Sequence, residues 1–336
     1  MAHRHIKSLV KSALLACGAA RLYHYARNRR ALSVVMFHRI LPEDDPRFAG
    51  ADPAYTATLR EFEAALDFFQ TYYAPVSLAE VESAAREGTT LPDHPLLITF
   101  DDGWRDNVEY AAPVLERRGL PSVLFVATGH IGSDKGFWPE QALAWALTGP
   151  ESDAEKRRLA GGGQDNPAAD RMDFARNIVA AFAAAPEGPR AVMLDRIAAH
   201  GPGPRAMADA EDLKRFRAAG GAIAGHGHSH EPLTDVGDAR EDIQACHARL
   251  QETMGQQNAP AFSFPHGRYT SEILHTVQEA GFGLVFTSDP GMAPVSALAQ
   301  SAPIPRIEVD FRAWRGAQGF RASDFAFYMM TQRIAA

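Results

Sequence analysis

The chain has 336 residues, of which 46% are hydrophobic and 22% are charged, and these values are those of an ordinary globular protein. They exclude a fully disordered, collagen-like or coiled-coil chain. The net charge of −7 argues against a nucleic-acid-binding protein, because binding a phosphate backbone requires a basic face. With only two cysteines, a disulfide framework and a cysteine-built zinc finger are also excluded.

The charged side chains of residues 1–30 are all basic. The apolar stretch within this segment, residues 9–20, is interrupted by Lys11 and is shorter than the ~20 residues that a membrane-spanning helix needs. Two interpretations stay open. The segment is either a basic amphipathic arm that rests on the protein or on an anionic membrane surface, or the core of a weak signal peptide.

Beyond this arm, short apolar runs alternate with helical patterns. Continuous apolar runs predict buried strands over residues 33–37, 96–100, 122–126, 221–224, 261–264 and 284–287. Helical spacing and capping signals predict helices over residues 58–73, 77–87, 104–118, 209–219, 238–254 and 271–280. Strands separated by helices pair in parallel, so we expect one barrel-like α/β domain over residues 31–336. Residues 132–210 are rich in alanine, charge and proline, and are predicted to be a helical insertion in this domain.

Three polar clusters follow predicted strands at their C-terminal ends, where the active sites of parallel α/β folds form. The first contains Asp101 and Asp102, and two adjacent carboxylates after a buried strand are costly unless they are paired or bind a metal. The alternative is that Asp102 or Asp106 caps the helix predicted from residue 104. The second contains His226 and His230, and its alternative is a solvated histidine-rich loop. A carboxylate with two histidines is a common catalytic metal site. The third cluster is residues 262–267, and its alternative is a simple turn without a function.

Together the three clusters resemble the polysaccharide deacetylase family, the NodB-homology domain of carbohydrate esterase family four, over residues 33–311. Residues 99–103, Thr-Phe-Asp-Asp-Gly, match the first family motif, and the histidines four residues apart match the second. Residues 265–267, Pro-His-Gly, resemble the later Pro-Tyr-Gly motif with histidine in place of tyrosine. The resemblance implies a distorted (β/α) barrel of the NodB type, with the helical insertion as its variable part.

The resemblance also implies roles for the site residues. Asp102, His226 and His230 would bind a divalent metal, zinc or another transition ion, and Asp101 would be the general base. The metal would polarise the acetamide carbonyl and acidify its water, while the backbone N–H of His266 would help to stabilise the oxyanion. Neighbouring strand residues point to opposite sides, so both carboxylates can face the metal only if the strand end bends.

The sequence departs from the family pattern in two places. Ser263 stands where the family commonly has an arginine, and Arg306 is our candidate for that role, with a salt bridge elsewhere as the alternative. A C-terminal Leu-x-His motif, whose histidine is the general acid, is missing after residue 290. His38 resembles the N-terminal strand histidine that takes the acid role in exopolysaccharide deacetylases with permuted motif order; its alternative role is to hold the following loop.

We therefore expect removal of N-acetyl groups from amino sugars of a bacterial exopolysaccharide or cell-envelope glycan. Trp138, Pro265 and Arg306 are the candidate substrate contacts. The expected partners are the glycan and, through residues 1–30, a membrane periphery, but no nucleic acid. The protein would lie in the cytoplasm or at the inner membrane, with export to the periplasm as the alternative.

Competing functions use these residues less completely. A glycosidase needs its two carboxylates across a glycosidic bond, at least about 5 Å apart, and would leave the histidines unused. Non-haem iron oxygenases share the ligand set but are mostly all-β. A related metal-dependent amidohydrolase stays open. So does a non-catalytic glycan-binding module on a degenerate deacetylase fold, which the altered third motif and the missing C-terminal histidine favour.

Overall fold

The computed structural model describes residues 10–160, 170–198, 205–255, 261–316 and 319–335. The strands of this part are β1 (Ala31–Phe37), β2 (Arg39–Leu41), β3 (Thr56–Thr58), β4 (Ala74–Pro75), β5 (Pro95–Phe100), β6 (Ser122–Val126), β7 (Gly221–Gly225), β8 (Ala261–Ser263), β9 (Leu284–Pro290), β10 (Ala293–Pro294), β11 (Ile304–Glu308), β12 (Arg315–Gly316) and β13 (Gly319–Phe320).

Helices cover the barrel and fill the insertion between β6 and β7. They are α1 (residues 10–16), α2 (Ala19–Arg27), α3 (Leu59–Tyr72), α4 (Leu78–Glu87), α5 (Ala112–Arg118), α6 (Trp138–Thr148), α7 (Asp153–Leu159), α8 (Arg171–Ala184), α9 (Glu187–Ala198), α10 (Ala210–Ala218), α11 (Ala239–Met254), α12 (Ser271–Glu279) and α13 (Ala322–Met330). A π-helical turn, Asn107–Ala111, precedes α5.

Seven strands form a closed parallel barrel in the order β1-β11-β9-β8-β7-β6-β5, with β5 pairing back onto β1. This confirms the expected distorted (β/α) barrel. Every residue of β1, β5 and β6 is buried, which is why these strands appear in the sequence as continuous apolar runs. Alternate residues of the barrel strands share one apolar cluster, which contains Leu32, Val34, Leu97, Val123, Phe125, Ala224, Phe286 and Ile304.

Strand β11 was not predicted from the sequence. It contains Pro305, and a proline within an apolar run argues against a central strand because it cannot donate a ladder hydrogen bond. The register between β11 and β9 shifts between Ile304 and Arg306, next to this proline. The strand therefore closes the barrel through an irregular pairing that the sequence pattern does not show.

Local signals placed several helix ends correctly. Ser77 and Glu80 form the predicted capping box at the start of α4. Gly119 ends α5 in the left-handed conformation, with φ of 62°. The predicted helix over residues 104–118 is present from residue 105 to 118, and it contains a π-helical turn, Asn107–Ala111, ahead of α5.

Helices α6 to α9 lie in the stretch predicted as a helical insertion, and they share a small core around Trp145, Phe174 and Phe182. Buried Lys156 donates to the carbonyls of Ala146 and Gly149, and so ties α7 to the end of α6. The loop predicted around residues 161–164 lies outside the described residues.

The N-terminal arm packs onto the barrel through α1 and α2, and its residues 1–9 lie outside the described part. His24 is buried between the rings of Tyr73 and His94, at centroid distances of 4.7 and 4.5 Å. Within the described ranges, none of the helices combines the length and the apolar character needed to cross a bilayer.

Candidate active site

A sharp bend at the end of β5 turns two neighbouring carboxylates toward the same histidine. Asp102 and Gly103 both have left-handed backbone conformations, with φ of 79° and 87°. As a result, Asp101 Oδ2 and Asp102 Oδ1 lie 4.0 and 3.5 Å from His226 Nε2. A Cβ at Gly103 would lie 3.0 Å from the side chain of Val126, so glycine suits both the conformation and the space.

Asp102, His226 and His230 form a compact cluster of three potential metal ligands. One ligand atom from each lies within 4.8 Å of the others, and His230 Nε2 is 3.1 Å from Asp102 Oδ1. His226 Nδ1 donates to the carbonyl of Ser263 at 2.8 Å, which leaves Nε2 facing the carboxylate. This second hydrogen bond is the usual way in which a protein orients a metal-binding histidine.

The donor set fits a divalent transition ion. One carboxylate and two imidazoles are the ligands that catalytic zinc sites use, and other transition ions accept the same set. Burial raises the pKa of Asp102, but His230 and His226 outweigh it and hold that pKa well below its ordinary value. The carboxylate is therefore charged, as a metal ligand must be. Asp102 does not cap the following helix, so the capping alternative is wrong for this residue.

Arg306 forms a two-pronged ion pair with Asp101. Nη1 and Nη2 each lie 2.7 Å from one carboxylate oxygen, and Nη2 also donates to Ser263 Oγ at 2.7 Å. Nε donates to the carbonyl of Thr287 at 2.9 Å. Burial raises the pKa of Asp101, but Arg306 and then His226 hold it below its ordinary value. The pair keeps Asp101 ionised in a buried position.

The position of Arg306 explains one departure from the family pattern. Ser263 lies where the family commonly has an arginine, and its hydroxyl accepts a hydrogen bond from an arginine that comes from β11. Arg306 was also a candidate substrate contact. It is only 1% exposed, so the structure places it beneath the site and not on the surface that a glycan would meet.

A second set of contacts supports Asp102 from the other side. Trp104 Nε1 donates to Asp102 Oδ2 at 2.8 Å, and the guanidinium of Arg39 lies 4.2 Å from the centre of the Trp104 rings. Arg39 in turn pairs with buried Asp106 at 2.8 Å. The sequence did not reveal this network. The only signal was Asp106 itself, a candidate helix cap that in the structure makes no cap hydrogen bond.

His38 lies at the same edge of the barrel as the two carboxylates. Phe37 pairs with Phe100, so the residues that follow them, His38 and Asp101, leave their strands side by side. The His38 ring is 4.9 Å from the Tyr55 ring, and both side chains line one small cavity together with Glu308 at the end of β11. The histidine therefore leaves its strand beside Asp101 and is open to a cavity that Asp101, Asp102, His226 and His230 do not line.

The third motif packs against the second. His266 has a φ of 55°, its Nε2 donates to the carbonyl of His230 at 3.1 Å, and its side chain is exposed. Pro265 is buried under Gly227, where a Cβ on the glycine would lie 2.9 Å from the proline ring. His228 is not part of the ligand cluster, because its Nδ1 lies 3.0 Å from Thr128 Oγ1 instead.

The helical insertion contributes residues that the sequence interpretation placed differently. Trp138, a candidate substrate contact, packs on the core of the insertion and has Arg190 over its ring at 4.7 Å. Its neighbour Phe137 instead stacks on His230, with ring centroids 3.7 Å apart. No sequence pattern singles out Glu140. Its buried Oε2 finds no hydrogen-bond partner among the described residues, and burial, followed by the charge of Asp102, raises its pKa to about 8.

Known structures share this fold over most of their length. IcaB from Ammonifex degensii is 20% identical, with a TM-score of 0.56, and the match covers 90% of this chain and 98% of IcaB. The deacetylase PplD from Streptococcus pyogenes, solved with acetate, is 16% identical, with a TM-score of 0.53 and coverage of 84% and 93%. A de-N-acetylase from Aggregatibacter actinomycetemcomitans is 13% identical, with a TM-score of 0.52 and coverage of 82% and 94%. At these identities the likeness shows the fold alone.

No curated protein matches the chain. The family model described as polysaccharide deacetylase matches residues 88–161 and 185–285, which together are more than half of the chain. The match includes Asp101 and the three cluster residues, and it agrees with the barrel and with the motifs. This chain therefore belongs to the polysaccharide deacetylase family.

Proposed function

We propose that this protein is a metal-dependent hydrolase that removes N-acetyl groups from the amino sugars of a bacterial exopolysaccharide or cell-envelope glycan. The observation that carries the proposal is the cluster of Asp102, His226 and His230 beside an ionised, arginine-paired Asp101. A divalent ion, with zinc as the first candidate, would be held by the three cluster residues and would supply Lewis-acid polarisation of the acetamide carbonyl and acidify water.

Asp101 is the proposed general base. Its carboxylate is charged and accepts one guanidinium N–H on each oxygen, which leaves further lone pairs free to accept a proton. Arg306 fixes the direction of both oxygens, and a fixed base transfers protons more effectively because it needs no reorientation. In this role Asp101 takes the proton of the attacking water, and Arg306 acts as a positioning residue.

His38 is the proposed general acid. The amine that leaves when the acetamide is hydrolysed needs a proton, and an imidazole supplies one near neutral pH. His38 leaves β1 beside Asp101 and opens to the cavity that it shares with Tyr55. The backbone N–H of His266 is proposed to stabilise the oxyanion together with the ion.

The same geometry argues against the non-catalytic module. That alternative depended on the altered third motif, in which Ser263 stands where the family commonly has an arginine, and on the missing C-terminal histidine. Arg306 pairs with Asp101 from another strand, and His38 lies next to Asp101 at the barrel edge. The arginine and the general acid are absent from their usual sequence positions, and Arg306 and His38 are therefore the candidates for these two roles.

Acetate release from a panel of glycans tests the proposal. The panel holds N-acetylglucosamine oligomers, poly-N-acetylglucosamine, peptidoglycan and an O-acetylated glycan, each incubated with the zinc-loaded protein. We expect release from an N-acetylated member and its loss in His230→Ala. The matched control is His275→Ala, which changes an exposed histidine of α12 and should leave release intact. Release from the O-acetylated glycan alone, or equal rates in the two variants, would contradict the proposal.

A further inference from the structure

The outward side of the N-terminal arm exposes an unusual concentration of large apolar side chains. Seven large hydrophobic residues are exposed in the part of the chain that the structure describes, and five of them lie between positions 10 and 25. We call these five the arm face: Val10, Leu14, Leu22, Tyr23 and Tyr25, with exposures of 53, 36, 70, 45 and 61%. Exposed apolar side chains that cluster in this way mark an interaction surface.

The inward side of the arm is already committed to the domain, so the arm face cannot simply turn inward. Ala20, His24 and Asn28 follow each other at helical spacing and are buried. His24 Nε2 donates to the carbonyl of Tyr72 at 3.1 Å, and Asn28 Nδ2 donates to the carbonyl of Met330 at 2.9 Å. Leu22 lies on the opposite side of α2 from these anchors. The α2 part of the arm face is therefore held outward in a fixed orientation.

Charge distinguishes the arm from the rest of the molecule. Residues 1–30 contain seven lysines and arginines and no acidic residue, so their net charge is +7. Residues 31–336 contain all 41 acidic residues and 27 of the 34 basic ones, so their net charge is −14. An anionic surface attracts the arm and repels the rest of the protein, and this difference orients the molecule.

We propose that the arm face docks onto an anionic phospholipid bilayer. A helix that lies flat on a bilayer inserts leucine and tyrosine side chains at the headgroup boundary, and its arginines and lysines contact the anionic headgroups. Docking would also leave the active site free. The anchor His24 packs on Tyr73 and His94, which come just before β4 and β5, whereas the site lies at the opposite end of the barrel strands. This inference goes beyond the proposed function and does not depend on it.

Co-sedimentation of the full chain with vesicles tests the proposal. The protein is mixed with phosphatidylcholine vesicles that either lack or contain phosphatidylglycerol, at low salt. We expect binding to the anionic vesicles, weak or no binding to the neutral ones, and loss of binding as salt is raised. Leu22→Ser combined with Tyr25→Ser should weaken binding at least about tenfold, because two apolar anchors are removed. Arg21→Gln should weaken it about fivefold.

The matched control is Val192→Ser, since Val192 is an exposed apolar residue on α9 outside the arm, with an exposure of 52%. It should bind vesicles as the unaltered protein does. Equal binding to neutral and anionic vesicles, or unchanged binding by the Leu22 and Tyr25 variant, would overturn the proposal. Size-exclusion chromatography with light scattering gives a further test. If the unaltered protein is a stable dimer and this variant is a monomer, the proposal is also overturned, because the arm face would then bind a second copy of the chain. Acetate release from a soluble oligomer should be the same in all variants, which separates this proposal from the proposed function.

Discussion

Arg306 and Asp101 depend on each other because both are buried. A buried ion pair adds little net stability, but the removal of one partner leaves an uncompensated charge in a low-dielectric site. Arg306 is 1% exposed and Asp101 is 3% exposed, so neither side chain can turn to solvent when its partner is lost. The pair therefore determines the direction and charge of the base and also contributes to the integrity of the barrel.

Arg306→Met tests this coupling through the free energy of unfolding. We expect a loss of about 3–5 kcal/mol in urea denaturation, because the Asp101 carboxylate is left unpaired. The double variant with Asp101→Asn should recover part of that loss, since the orphaned charge is gone. Losses that simply add in the double variant would show that the two residues are not coupled.

Trp104 should act on metal affinity through Asp102. Trp104→Phe keeps an aromatic ring under Arg39 but removes the N–H that donates to Asp102 Oδ2. Zinc affinity, measured by titration calorimetry, should fall about 10- to 100-fold, as is typical when a partner of a metal ligand is removed. Trp145→Phe is the matched control, because its N–H donates to Glu151 within the insertion. An equal loss of affinity in both variants would refute a specific role for Trp104.

Glu140 should make stability depend on pH. Burial, followed by the charge of Asp102, raises its pKa from 4.5 to about 8. As pH rises from 4.5 to 8, the unfolded chain loses this proton while the folded protein keeps it, so stability falls. Glu140→Gln removes this loss. In metal-free protein, the free energy of unfolding of the variant, measured in urea, should therefore exceed that of the unaltered protein by an amount that grows between pH 5 and 8 to about 2–4 kcal/mol. An advantage that stays constant over this pH range would contradict the assignment.

At the scale of the elements, the sequence predicted best where local signals suffice. Strand β5 and the motif that follows it form a buried apolar run that ends in two carboxylates, and both features are visible in neighbouring residues. The partner of Asp101 could only be suggested, because Arg306 lies 205 positions away on a strand that contains a proline. The bend at Asp102 was foreseen from Gly103 and from the need for both carboxylates to face one ion.

Contacts that depend on tertiary packing could not be predicted from the sequence. Nothing local indicates that Phe137, and not Trp138, would lie on His230, because the choice depends on how α6 meets the barrel. The same holds for Glu140, whose environment comes from several separate segments. Composition predicted helices for this stretch, and the orientation of their side chains followed only from the assembled structure.

The docking of α2 should weaken in acid. Burial lowers the pKa of His24 to about 4, and the nearby His94 adds to this lowering. Protonation would also break the contact in which Asn28 Nδ2 donates to His24 Nδ1. Burial also lowers the pKa of His94, which stacks on it. Between pH 6.5 and 4 the undocked arm binds more protons than the docked arm, so docking loses stability as pH falls, by up to about 3 kcal/mol.

Hydrogen exchange measures this effect directly. After correction for the intrinsic exchange rate, the amides of α2 should lose protection between pH 7 and pH 5, while those of α11 should not. The neutral variant His24→Gln should show a smaller change. Protection of α2 that is independent of pH would show that His24 does not titrate in this range.

At the scale of the whole molecule, barrel closure creates the site. The proposed base follows β5, the proposed acid follows β1, and the two histidines of the cluster follow β7, while Arg306 comes from β11. These segments are distant in the sequence, and parallel pairing brings the ends of their strands to one edge. Helix α2 is anchored at the other end of the strands through His24, whereas α1 contacts the start of α13 through Lys11 and Ser12. The fold thus separates the proposed chemistry from the part of the proposed membrane contact that α2 provides.

The most direct test of the central claim measures bound zinc and acetate release on the same preparations. The unaltered protein should bind one zinc per chain and release acetate from an N-acetylated glycan. Asp101→Asn should keep its zinc but lose about 10²- to 10⁴-fold in rate, because the base is removed while the three proposed metal ligands stay. Asp102→Ala should lose both zinc and activity, while Asp67→Asn, which changes an exposed carboxylate, should keep both. Normal turnover by Asp101→Asn, or full activity without bound metal, would contradict the account.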